Sequence, residues 1–167
     1  LSAEKLAGQA QTWLNRKLQF THGYGVALSP VNEITSQGLP ELLLKDIPPV
    51  GALTLDKPQI YFGEKTDDYI MVKTKTQEFD HPSGEDNVYG FYQGTDGVSL
   101  GSFFRRFIYA WQLGDFNILI SNQLTPESRV LYYRNIKDRV SHLAPFLTLD
   151  KDPYPVVIDG RILWIQD

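Results

Sequence analysis

Four groupings of side chains in this sequence have the types and spacing that chemistry uses. Thr21-His22-Gly23-Tyr24-Gly25 holds an imidazole and a phenol between two glycines, as a loop that binds or exchanges protons would. The glycines serve plain backbone turns equally well. Glu78-Phe79-Asp80-His81-Pro82-Ser83-Gly84-Glu85-Asp86-Asn87 concentrates carboxylates, and Asp80, Glu85 and Asp86 are the acids a loop site with His22 and Tyr24 would draw on. A calcium ion takes about six to eight oxygens, but the spacing differs from the EF-hand loop and Pro82 interrupts it, so a solvated acidic turn is expected and no metal. Gly97-Val98-Ser99-Leu100-Gly101 matches the G-x-S-x-G elbow that exposes a nucleophilic serine where a strand turns into a helix. The residues before it, Gln93-Gly94-Thr95-Asp96, are a polar turn, and His142 is the one later histidine, so Ser99 is read as a helix cap. Finally, Arg105, Arg106, Arg129, Arg134, Lys137 and Arg139, with Tyr132 and Tyr133 among them, concentrate positive charge in the later half of the chain. Such a set fits contact with anionic lipid head groups or another polyanion, through Arg105, Arg106, Arg134 and Lys137 above all. It also fits the wet face of two ordinary helices.

Composition bounds these readings. A chain of 167 residues is long enough for one domain with a real core, and 42% hydrophobic with 22% charged residues is the balance of a folded protein. The net charge of −4 argues against a nucleic-acid-binding surface. The absence of Cys removes disulfides, thiolate metal sites and a cysteine nucleophile. No window approaches the roughly 18 uninterrupted apolar residues of a membrane span, and no signal peptide is read. A first residue other than Met and a last residue directly after a strand-like run suggest a piece cut from a longer polypeptide.

The elements that must position these groups follow from periodicity. Leu100, Phe103, Phe104, Phe107, Ile108 and Trp111 recur as one face of an α-helix, an apolar load that another layer is expected to cover. Ser99 is its expected N-cap and Gly114 its terminator, with Asp115 capping a short second helix of Phe116, Leu119 and Ile120. Ser2 and Glu4 start an earlier helix through Leu6, Ala10, Trp13, Leu14 and Leu18, and Thr125-Pro126-Glu127 starts a later one through Val130, Tyr133, Ile136, Val140 and Leu143. Strands are expected at Val26 to Leu28, Leu42 to Leu44, Gln59 to Phe62 and Tyr69 to Thr76, the last pairing with Val88 to Tyr92 across a polar turn at His81 to Asn87. Two extended runs around Asp159-Gly160 predict a hairpin with a type I′ turn. Strands and helices come in blocks. The expected class is α+β, a largely antiparallel sheet packed against about three to four helices, in one unit over residues 1–167.

Several strings carry a resemblance. They include Trp13-Leu14-Asn15-Arg16, Ser29-Pro30-Val31-Asn32-Glu33, Ile60-Tyr61-Phe62-Gly63-Glu64, Leu100-Gly101-Ser102-Phe103-Phe104-Arg105-Arg106, Ala144-Pro145-Phe146-Leu147 and Asp152-Pro153-Tyr154-Pro155-Val156-Val157-Ile158-Asp159-Gly160. Together with the His22 and Asp80 strings they resemble the uncharacterised protein family UPF0182 from Trp13 onward. That resemblance implies a large bacterial multi-pass membrane protein of which this chain is part of a soluble region, outside the cytoplasm. It also implies Pro at the position of Ser99 in many members, which speaks against a serine nucleophile there. No catalytic residue and no cofactor come with it.

The sequence thus points to a non-enzymatic binding or assembly domain, with the parent's membrane region and further C-terminal chain as partners. The alternative is a hydrolase-type domain using His22 and the loop acids. In a third reading the piece has no role alone, and the hairpin bearing Trp164 is completed by chain beyond it.

Overall fold

Ile70-Met71-Val72 and Val130-Leu131 are β-branched or apolar at every position, the pattern of a strand with core on both sides. The computed structural model, which describes residues 7–167, places both at the centre of the molecule. The strands in chain order are β1 (Gly23–Tyr24), β2 (Leu44–Lys45), β3 (Val50–Gly51), β4 (Gln59–Ile60), β5 (Ile70–Val72), β6 (Glu78–Ser83), β7 (Asp86–Gly90), β8 (Val98–Ser99), β9 (Arg129–Leu131), β10 (Tyr154–Ile158) and β11 (Arg161–Ile165). Three α-helices are described: α1 (Phe103–Leu113), α2 (Asn117–Ile120) and α3 (Ile136–Leu143). The class is α+β and the named strand pairs are antiparallel, as expected. The strands form several small sheets rather than one large sheet: β1-β4, β2-β3, β6-β7, β10-β11 and the three-stranded β5-β9-β8.

In that three-stranded sheet β9 lies between its partners, with Ile70 opposite Leu131 and Val98 opposite Val130. Met71 and Val130 join Leu18, Leu100, Ala110, Ile118 and Leu124 on one side. Ile70, Val72 and Leu131 join Tyr92, Tyr61 and Phe62 on the other.

Several expectations fail for identifiable reasons. The helix expected from Thr125 is a turn followed by β9, because Thr125 and Ser128 donate their hydroxyls to the Lys73 carbonyl and the apolar pair Val130-Leu131 after them is buried between two strands. The helix starts later, at Asn135, whose side chain accepts from Lys137 N–H. Tyr69 to Thr76 shrinks to β5, since Lys73 turns the chain with a φ of 55°. The partner of Val88 to Tyr92 is β6, so the expected polar turn at His81 to Asn87 is mostly a hairpin, turning at Gly84 with φ 63°. In place of Val26 to Leu28 the strand is β1, and Leu28 makes a single bridge to Leu44. Leu44 is buried, but Leu42 and Leu43 are exposed.

At the N-terminal end a single α-helix gives way to a 3₁₀ turn at Gly8–Ala10 and a π-helical turn at Asn15–Gln19; the expected cap Ser2, with Glu4 and Leu6, lies outside the described residues. The wider turn sends both Lys17 and Leu18 inward, Lys17 onto Asp68 and over the Tyr69 ring.

Helix α1 departs most from expectation. Its cap is Ser102, which accepts from Arg105 N–H, while Ser99 belongs to β8; Gly114 closes it in the left-handed conformation and Asp115 accepts from Asn117 N–H at α2. The side turned to the protein carries Arg106, Tyr109, Ala110 and Leu113. Arg106 reaches the carbonyls of Leu100 and Thr125, and Tyr109 packs on Tyr132. The apolar stripe points the other way: Phe103 is 73% exposed, Phe104 70% and Trp111 82%, with Phe107 and Ile108 also exposed. No described layer of the chain covers the face that the periodicity marks as the buried one.

The C-terminal hairpin forms as read. Asp159 and Gly160 have φ of 49° and 70°, the pair of left-handed residues a type I′ turn needs. Gly160 O accepts from Asp56 and Lys57 N–H, and the Trp164 indole lies against Gly63, so the hairpin walls one side of a cavity.

Candidate functional site

Strand β1 and the two residues before it deliver Thr21, His22 and Tyr24, β4 delivers Gln59, and β6 delivers Glu78, Asp80 and His81. The fold thereby brings His22, Tyr24 and Asp80 together, 58 residues apart in the case of His22 and Asp80. His22 Nε2 lies 3.2 Å from Asp80 Oδ1, and Gln59 donates to the same oxygen at 2.8 Å. His81 Nδ1 lies 2.8 Å from the other oxygen, and the Tyr24 ring tilts over the His81 ring at 4.7 Å. Burial alone would raise the Asp80 pKa, but the bonds from Gln59, His81 and His22 outweigh it and hold the carboxyl below its ordinary value.

Behind His22 sits Glu78, almost fully buried. It accepts the hydroxyls of Thr21 and Tyr61 on one oxygen and Tyr92 N–H on the other. Burial, and then the Glu78 charge and bond, push the Tyr61 phenol far above its usual range. Because the single hydroxyl proton of Thr21 goes to Glu78, His22 Nδ1 is the donor in its 2.9 Å contact with Thr21 Oγ1.

Hydroxyl, imidazole and carboxylate here stand in the order of a hydrolytic triad, but not in its working state. The Thr21 hydroxyl donates to Glu78 rather than to His22, Thr21 is 1% exposed, and both His22 ring nitrogens are engaged. Elsewhere, Ser99 Oγ accepts from Gly101 N–H, while His142 is held by Asp138 O and stacks on Tyr133. Glu85 and Asp86 are not part of the cluster: they sit at the exposed tip of the β6–β7 hairpin, where the bulge between Phe79 and His81 and the tight turn carry them past the His22 end. Among the described residues no group of three or more His, Asp and Glu is placed to hold a metal ion.

The expected basic face is dispersed. Arg134 is 5% exposed and spends its guanidinium on three carbonyls, Tyr61 O at 2.8 Å, Asp68 O at 2.9 Å and Thr21 O at 2.6 Å. Burial lowers its pKa to about 10, and a residue so placed cannot meet a lipid surface. Arg106 and Arg129 are likewise tied to carbonyls, Lys137 pairs with Glu64 at 3.5 Å, and Arg139 lies 4.4 Å over the Phe62 ring. Arg105 is exposed on the outer side of α1.

Sequence reasoning missed Gln59, Tyr61 and Tyr92, and it read Arg134 as surface. Glu78 and Asp80 alternate along β6, so recognising a strand there would have pointed to both. Nothing local marks Arg134, whose partners are supplied from residues 21, 61 and 68.

Two cavities open beside this cluster. The smaller, about 310 Å³, is bordered by Arg16, Asp68 and Arg134, whose charged groups are already bound to one another or to carbonyls. The larger, about 860 Å³, runs from Asp80 and Gln59 past Tyr89 and Phe91 to Trp164.

The chain is thus an α+β unit whose small antiparallel sheets enclose a buried polar cluster. A sequence profile of the uncharacterised protein family UPF0182 matches residues 1–167, and the chain belongs to that family. It is 51% identical over 169 residues to a UPF0182 protein of Pelotomaculum thermopropionicum, which covers 100% of this chain and 18% of that protein. A UPF0182 protein of Sulfurovum sp. is 53% identical over 165 residues, 97% of this chain and 18% of its own length. One from Methanospirillum hungatei is 52% identical over 170 residues, 100% of this chain and 19% of its own. The chain thus spans under a fifth of the length of these relatives. No solved structure matches it.

Proposed function

We propose that this chain is a non-enzymatic assembly module, a block whose α1 face docks against another part of the longer polypeptide to which the family's length points. One observation carries the reading: the five largest apolar residues of α1 face outward, and α2 adds Phe116 at 76% and Ile120 at 78% exposure. A run of exposed aromatics on one helix is an interaction surface, because folding alone gains nothing by leaving it in water. The occupant is taken to be the same polypeptide because the relatives carry more than four-fifths of their length outside the matched region. The family resemblance supports placing that polypeptide in a membrane by several spans, with this block outside the cytoplasm. No helix among the described residues is long and apolar enough to cross a membrane.

The hydrolase alternative has less support, since no hydroxyl among the described residues is both open and paired with a histidine. To test the docking reading, a photo-crosslinking amino acid would be placed at Phe104 or Trp111 in the longer polypeptide. Crosslinks mapping to peptides outside this block are expected. Labelling of lipid alone would overturn the choice of occupant, and labelling of neither would remove the docking surface.

A further inference from the structure

The 860 Å³ cavity serves none of the purposes described so far, and its lining has a definite chemistry. Its size falls in the range of small-molecule sites, about 300–1,000 Å³. Tyr89 and Phe91, 43% and 47% exposed, border it, and Trp164 borders it from the C-terminal hairpin. Planar polar groups share the lining: the amide of Gln59, which donates to Asp80, that of Gln93, which donates to Phe91 O, the guanidinium of Arg139 and the carboxylate of Asp80.

Charge narrows the ligand. Of the four carboxylates at the cavity, Glu78 and Asp80 are already satisfied by donors from the protein. The exposed acids Asp56 and Asp96, the latter accepting the Tyr92 hydroxyl, are matched in number by Lys57 and Arg139. A site with balanced open charge has no strong preference for an ion. Half-open rings offer a flat apolar surface, while forked amide, guanidinium and carboxylate groups offer paired donors and acceptors. A pyranose presents both complements at once: a face of C–H groups and a rim of adjacent hydroxyls.

We propose that this cavity is a saccharide-binding site, taking a chain of pyranose units against Phe91, Tyr89 and Trp164, with Gln59, Gln93 and Arg139 on the hydroxyls. The proposal is independent of the docking reading, since the cavity shares no residue with α1 or α2.

The test is a microarray of bacterial and eukaryotic glycans probed with the 167-residue chain, followed by calorimetry with the best free glycan. Phe91→Ala and Gln93→Ala are both exposed changes that leave the core alone, and Phe104→Ala, an exposed aromatic outside the cavity, is the control. Expected is retention on at least one glycan class, competed by the free sugar. Phe91→Ala should then weaken binding about 10-fold and Gln93→Ala about 3-fold, with Phe104→Ala unchanged. No retained glycan overturns the proposal. So does binding that Phe91→Ala leaves intact, or that Phe104→Ala weakens equally, which would mark adhesion of exposed rings in general. Because the control lies on α1, failure here leaves the docking reading standing.

Discussion

The α1 face and the cluster around Arg134 invert each other. On α1 the side chains that water rejects point into it. Around Arg134 the side chains that water favours, Lys17, Thr21, His22, Glu78 and Arg134, are buried. The cluster is complete: every one of these groups has partners within the chain, from carbonyls on Arg134 to three donors on Glu78. The helix face is incomplete. A buried polar group must find its partner inside the fold, because an orphan costs too much to tolerate, whereas an exposed aromatic costs little until something arrives to cover it. The difference sorts the molecule into a part that sustains itself and a part that waits for a neighbour.

Breaking the self-sufficient part should cost most. Arg134→Met strands three carbonyls and removes a buried cation that Asp68 and Glu78 attract, and a loss of about 3–5 kcal/mol is expected in urea unfolding. Asp115 holds the N-terminal turn to α2 through Trp13 Nε1 and the Tyr69 hydroxyl, and Asp115→Asn should cost about 1–3 kcal/mol in the same assay. Hydrogen bonds from Tyr69, Trp13 and Asn117 outweigh burial to hold the Asp115 pKa down, as those from Gln59 and the two histidines do for Asp80. A carboxylate with a depressed folded pKa adds stability that is fully present above its unfolded value, about 4, and is lost as pH falls through the folded value. Urea midpoints should therefore hold between pH 7 and 5 and drop below 4, with a shallower drop in Asp115→Asn. At the small end, Phe104→Ser or Trp111→Ser should change unfolding by no more than about 0.5 kcal/mol, because neither ring is packed. The same changes should raise the solubility of the isolated chain, visible as less self-association in sedimentation. A large stability loss in Phe104→Ser would erase the contrast between the two regions.

What could be read from the sequence follows the same division. The C-terminal hairpin was legible because Asp159-Gly160 fixes its turn locally. The left-handed end of α1 at Gly114 was legible for the same reason. The existence of α1 was clear from its period, but its orientation was not. An apolar stripe says that a face will be covered, and not whether the cover lies in this chain. The segment from Thr125 to Leu131 was misread because a good helix-start string precedes a run whose burial between β5 and β8 is decided by residues 30 or more positions away. His22 and Asp80 stand in two strings that the sequence groups as one loop site, and the fold brings them within 3.2 Å of each other. The grip of Arg134 on carbonyls from three distant segments has no local trace at all.

The order of the central sheet also constrains when the protein can fold. Strand β9 is the only partner of both β5 and β8 in that sheet, and it comes last of the three. Until residues 129–131 have been synthesised, Ile70 to Val72 and Val98-Ser99 have no strand of that sheet to join. The central sheet therefore cannot close until residue 131 has left the exit tunnel, and until then the two waiting strands and the aromatic face of α1 share the same nascent chain.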